Sequence, residues 1–233
     1  MREKHMSDHI VSAYSDELDK LSSDIMRMGG IVETMIADSC RALSINDPVL
    51  AREVIARDPQ VDVIEAEVEK QIVSLIARRQ PMGHDLRMIL SALKTSNELE
   101  RIGDLSKNIA KRALRLDDFV SAEMRNAILR MSRPVARQLN EVLDAYASSN
   151  SALAKNVWSS DDDIDQHYNA VFREMVTYLI EDPRRISAGA HMLFIAKNLE
   201  RIGDHCTNIA EFVYYQAVGE YLSTMERPKL DQV

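Results

Sequence analysis

One string of twelve residues occurs twice in this chain, a hundred residues apart. Leu99 to Ala110 reads LERIGDLSKNIA and Leu199 to Ala210 reads LERIGDHCTNIA, identical at nine of twelve positions. Over the 39 positions before it (60–98 against 160–198) only Asp62/Asp162, Ile64/Ile164 and Leu93/Leu193 match. Residue type still tracks there: Ile72/Phe172, Leu75/Met175, Ile76/Val176 and Leu86/Ile186 are apolar in both copies. A unit of this length is too long for a solenoid repeat and about right for a small domain. Two copies account for nearly all of the 233 residues.

Each copy reads as three helices. Seven glycines and six prolines are few breakers for a chain of 233 residues, which favours long helices over a turn-rich β fold. An apolar-periodic segment runs from about Asp8 to Ile45, and Asn46-Asp47-Pro48 supplies a stop, a cap and a proline at the first helical position. Asp58-Pro59 is expected to break the next segment, with a long helix from there to about Arg79. Pro81 and Gly83 turn the chain into a third helix ending near Leu116. The second copy is expected to have helices near 120–149, 151–181 and 184–222, with Pro134 kinking the first of them or marking a start. Short connections imply antiparallel neighbours. The expected fold is all-α: six long helices in two tandem, sequence-related antiparallel three-helix bundles, 1–117 and 118–226, followed by a loose tail, 227–233.

The repeated string also carries the chemistry. At 3.6 residues per turn, Glu100, Asp104 and Asn108 share one helix face, as do Glu200, Asp204 and Asn208. Counting from the seam Ile195, Leu199, Ile202, Cys206 and Ile209, the second row lies roughly opposite the core, so both rows are expected to face away from it. Acids at i and i+4 repel unless a cation lies between them. One such pair is an ordinary solvated surface; two identical pairs in otherwise diverged copies suggest a demand for oxygen donors. Hard cations such as Mg²⁺, Mn²⁺, Ca²⁺ or iron meet that demand, and the candidate ions are Mg, Mn, Fe or Zn. Asp62, Glu65, Asp162 and Asp165 would complete the shells if helix packing brought them near. Gly103 and Gly203, costly in a helix interior, point to close helix approach. Arg101 and Arg201 read as braces to a neighbouring helix.

Much else is negative. Basic residues number 29 against 37 acidic ones, a net charge of −8 that leaves no excess to displace phosphate counterions from nucleic acid. Cys40 and Cys206 are too few for a thiolate zinc site and read as buried thiols in a reducing compartment. The longest uncharged stretch, Ile186 to Ala196, is too short to span a bilayer, and no apolar run follows the N-terminal charges. A soluble, cytoplasmic protein is expected. The histidines form no Glu-x-x-His pattern, His205 reads as a surface or interface residue, and the methionines and Trp158 read as packing. No phosphate-cradling loop, no phosphate pocket and no nucleophile with its base is apparent.

Met28-Gly29-Gly30, Arg79-Gln80-Pro81 followed by Asp85-Leu86-Arg87, and both copies of Glu-Arg-Ile-Gly-Asp together resemble the PhoU family over nearly the whole chain. The second copy has Asp182-Pro183-Arg184-Arg185-Ile186-Ser187 where the first has the Arg-Gln-Pro element, so the halves are expected to differ in partner contacts. The resemblance implies two similar three-helix bundles, a homodimer, and metal held by a Glu/Asp-x-x-x-Asp motif in each half. It further implies a negative regulator of the phosphate-starvation response at the cytoplasmic face of the inner membrane. There it would act between the ATPase of the phosphate ABC transporter and the phosphate-sensing histidine kinase, touching the membrane only through partners. A non-enzymatic adaptor is the reading adopted. The alternatives are a metal-dependent hydrolase, which lacks a visible base or nucleophile, and a metal-free helical adaptor.

Overall fold

The computed structural model describes residues 2–116 and 120–222, and within them the side chains from Ala13 onward except that of Asp161. The helices are α1 (Arg2–Ile45), α2 (Pro48–Arg79), α3 (Gly83–Ala113), α4 (Ala122–Ala147), α5 (Ser151–Ser159), α6 (Asp161–Glu181) and α7 (Ile186–Val218), with a short 3₁₀ turn at Pro183–Arg185 before α7. No strand occurs among the described residues. The 117/118 boundary and the tail 227–233 lie outside them.

Local chemistry starts and stops these rods. Asp47 caps α2 by accepting from the Val49 and Leu50 amides at 2.9 and 3.0 Å, with Pro48 in the first turn. Ser121 accepts from the Met124 amide, and Asn150 accepts from those of Ala152 and Leu153. Gly219 closes α7 in the left-handed conformation (φ 89°).

Two expectations at the same repeat position fail in opposite senses. α2 runs unbroken through Pro59. A proline in a helix interior costs about 3 kcal/mol, but buried Val54, Asp58, Val61 and Ile64 hold both flanks in register. A hundred residues on, the expected helix 151–181 divides at Ser160. There the Ser159 and Ser160 hydroxyls donate to the carbonyls of Asn156 and Val157, and the Ser160 amide closes a tight turn on the Val157 carbonyl. Serine hydroxyls compete with the backbone for its own acceptors. Pro134 marks no start, because α4 is continuous through it.

α1, α2 and α3 pack on one another, and α4, α5 and α6 surround α7. Each half is thus one bundle, the third rod of the second being the α5/α6 pair. The halves share a broad contact: α3 lies along α7, and α1 along α4. Ser91 donates to the Phe212 carbonyl at one end of the α3–α7 seam, and Arg112 lies beside His191 at the other, so these helices run antiparallel. A Cβ on Gly29 would fall 2.6 Å from the Leu143 side chain, so glycine permits the α1–α4 approach. Met28, Met35, Met124, Met131, Met175 and Met192 are fully buried, as packing residues should be. Trp158 is buried, and Cys40 and Cys206 are buried free thiols.

Candidate metal centre

The first acid row lies in the groove between α2 and α3. Buried Leu99, Ile102, Ser106 and Ile109 anchor α3, leaving Glu100 and Asp104 half-buried at the groove and Asn108 exposed. The α2–α3 packing turns Asp62 and Glu65 toward the same groove. The Glu100 carboxyl is raised above its ordinary range by burial and then by the charges of Asp104, Glu65 and Asp62. Burial and then Asp58 raise the Asp62 carboxyl, and burial with Glu69 and Asp62 raises that of Glu65. Like charges in a partly desolvated groove disfavour ionisation, and a cation reverses that preference.

Sequence reasoning missed that a side chain already supplies part of this counter-charge. The Lys107 ammonium lies 2.6 Å from Asp58 Oδ2 and also bonds Asp104 Oδ1. Burial alone would lower the Lys107 pKa, but the bonds to Asp104 and Asp58 raise it well above its ordinary value. The i, i+3 spacing of Asp104 and Lys107 is visible in the sequence; Asp58, on another helix, is not.

The second row differs. The outward-facing orientation expected for it holds for Asp204 and Asn208, which are exposed, and fails for Glu200, which is buried. A helical-wheel count assumes cover on one side, whereas α7 is packed by α3, α4, α5 and α6. Glu200 Oε1 accepts from the Lys197 ammonium at 2.5 Å, while Oε2 is buried with no hydrogen-bond partner. Asp204 is exposed but acts electrostatically on Lys197. Asp162 and Asp165 are exposed on α6, flanking Ile164, which packs against Gly203. A Cβ at Gly203 would come within 3.1 Å of Ile164 and 3.3 Å of Gln138 Oε1; at Gly103 its nearest neighbour, Val61, would be 3.6 Å away. Close approach therefore accounts for Gly203 and less for Gly103. Among the described residues, no three His, Cys, Asp or Glu side chains are gathered as a ready-made metal cluster.

The α3–α7 seam takes up two further residues. His205 is an interface histidine, its Nδ1 2.5 Å from Glu98 Oε2, and the Asn208 amide donates to the same oxygen at 3.1 Å. Asn208 thus turns toward α3. Burial would raise the Glu98 carboxyl, but the bonds from His205 and Asn208 hold it below its ordinary range. Arg101 is exposed and acts on Glu98 and Glu100 as a nearby charge. At the α2–α3 turn, Arg79 makes a paired contact with Glu17 at 3.0 and 3.3 Å, and the Tyr14 hydroxyl donates to Asp85 at 3.1 Å. No described helix is long and apolar enough to cross a membrane.

Two fused helical bundles, each with an acid row on its last helix, define an all-α class of protein. The PhoU domain matches residues 25–113 and 128–213. A phosphate-specific transport system accessory protein PhoU homolog from Caulobacter vibrioides is 50% identical over 97% of this chain and 98% of its own length. The phosphate-specific transport system accessory protein PhoU of Escherichia coli is 34% identical over 98% of this chain and 95% of its own. The crystal structure of PhoU from Pseudomonas aeruginosa superposes with a TM-score of 0.85 at 38% identity, covering 89% of this chain and all of that one. The chain belongs to the PhoU family of phosphate transport system accessory proteins.

Proposed function

We propose that this protein is a non-enzymatic, cytoplasmic negative regulator of phosphate uptake and of the phosphate-starvation response. It acts as a homodimeric adaptor between the phosphate ABC transporter ATPase and the phosphate-sensing histidine kinase. The observation that carries this reading is near-full-length similarity, at 34 to 50% identity, to proteins named as accessories of phosphate-specific transport. The two units run over 1–117 and 118–226. A pull-down from phosphate-replete cells tests the role. The transporter ATPase and the kinase are expected to co-purify, and the absence of both under every phosphate condition would overturn it.

The acid rows are proposed to hold Mg, Mn, Fe or Zn through Glu100 and Asp104 in the first half and Glu200 and Asp204 in the second. Asn108 and Asn208 are weaker candidates, and Asp62, Glu65, Asp162 and Asp165 are peripheral donors. Two features of the side chains fit a cation: the crowding that raises Glu100, and the partnerless buried Oε2 of Glu200. A bound divalent cation would neutralise a repulsive carboxylate pair and, through its open coordination positions, could bridge an acidic adaptor to an acidic group on a partner. Lys107 and Lys197 favour a second reading, in which lysines supply the counter-charge and no metal is needed. Metal content of the wild type against Asp104→Ala/Asp204→Ala separates the two: loss of bound metal in the variant supports the metal reading, and metal-free wild type supports the other.

A further inference from the structure

The antiparallel α3–α7 seam has two ends related by the internal repeat, and they are finished differently. At one end Glu98 supplies the acceptor for His205 and for the Asn208 amide. Shifting by one hundred residues converts Glu98 to Asn198 and Asn208 to Asn108, which lie together at the other end. There the carboxylate is gone. Asn108 and Asn198 line a pocket of about 260 Å³ with Lys111, Arg112 and Arg115, and among the described residues no acidic side chain lines it.

Three cations and two amides thus converge on a pocket in a protein of net charge −8. Among the described residues, none of Lys111, Arg112 and Arg115 makes an ion pair. Arg112 is held in place: its guanidinium carbon lies 4.2 Å over the Phe194 ring, and Nη1 is 3.5 Å from His191 Nδ1. The Arg112 pKa is lowered by burial and by the charge of Arg115, so these two cations press on each other. The Asn198 Nδ2 amide is buried without a hydrogen-bond partner. A planar guanidinium and two further cations around a lining with no described acid call for a compact, multiply charged oxygen acceptor.

We infer that the pocket formed by Asn108, Lys111, Arg112, Arg115 and Asn198 binds a phosphoryl-type oxyanion, in the place that Glu98 fills with a carboxylate at the repeat-related end. The site shares Asn108 with the end of the first acid row but uses neither of its carboxylates and needs neither metal nor partner protein, so its test stands apart from that of the regulatory role. The anion is either inorganic phosphate itself or the phosphoryl end of a larger small molecule such as a nucleotide.

The test is calorimetric titration of the purified, chelator-treated full-length protein with inorganic phosphate and, separately, with ADP. Saturable binding of at least one probe is expected, weakened by about tenfold or more in Lys111→Glu/Arg115→Glu, whose side chains are exposed enough to change without unfolding the chain. Lys155→Glu, an exposed cation on α5 outside the pocket, should bind as the wild type does. Saturation by phosphate alone identifies a closed oxyanion site, and saturation by ADP a phosphoryl end. No saturation by either probe up to ~10 mM, a range in which even millimolar affinity registers, overturns the inference. So does binding that survives in the charge-reversed variant.

Discussion

The Lys107 ammonium sits 2.6 Å from the carboxylate of Asp58, a residue buried on the neighbouring helix α2. The pair joins the two helices that flank the first acid row, and Lys107 also holds Asp104. Lys107→Met should leave Asp58 buried without a counter-ion and cost about 3 kcal/mol, as removing one partner of a buried pair does. Asp58→Asn/Lys107→Met should recover much of the loss. Urea denaturation of the three variants measures both. If the acid row takes up metal, freeing Asp104 should also tighten Mn²⁺ binding to the first half.

Glu100 has the opposite character. Its raised carboxyl pKa means that its charge opposes folding at neutral pH, and that this penalty is relieved as pH falls through the raised value. Glu100→Gln in chelator-treated protein should therefore hold or slightly raise the melting temperature. With Mn²⁺ present the order should reverse: the wild type gains stability and the variant gains less. Protons compete for the same carboxylates, so the Mn²⁺-induced shift in the wild type should shrink as pH is lowered toward 5. Scanning fluorimetry with and without Mn²⁺ reads all of this.

Glu17 works in the opposite direction along the pH axis. Its bond to Arg79 holds its carboxyl below the ordinary carboxylate range. A depressed acid stabilises fully above its unfolded pKa, and that contribution is lost as pH falls through the folded one. Glu17→Gln should lose stability at pH 7 and show a shallower acid limb below about pH 4.5. Because Arg79 enters the turn before α3, protease nicking near residues 79–83 should also quicken at pH 7.

The two motif glycines should respond differently to the same change. Gly103→Ala places its methyl at ordinary contact distance, so the helix gains up to about 1 kcal/mol from alanine's better propensity. Gly203→Ala must displace Ile164 and meets Gln138, and should be neutral or destabilising by about 1 kcal/mol. Equilibrium unfolding of the two single variants compares them directly.

The duplication, the long helices, the capped start at Asp47 and the pairing of Glu100 with Asp104 and of Glu200 with Asp204 were all legible in the linear chain. They depend on identity and on spacing within one helix. The uninterrupted course of α2 past Pro59 was not legible, because burial on both flanks outweighs a local breaker. Nor was the split at Ser160, where two serine hydroxyls take up backbone carbonyls.

The sequence alone determined which residues share a helix face, since 3.6 residues per turn is a property of the backbone. Tertiary packing alone decided what each face meets. It buried Glu200, brought Asp58 to Lys107, and gave one end of the α3–α7 seam a carboxylate and the other an open cationic pocket. Electrostatic and desolvation energies depend on distances between helices, and one hundred residues of intervening chain carry no record of those distances.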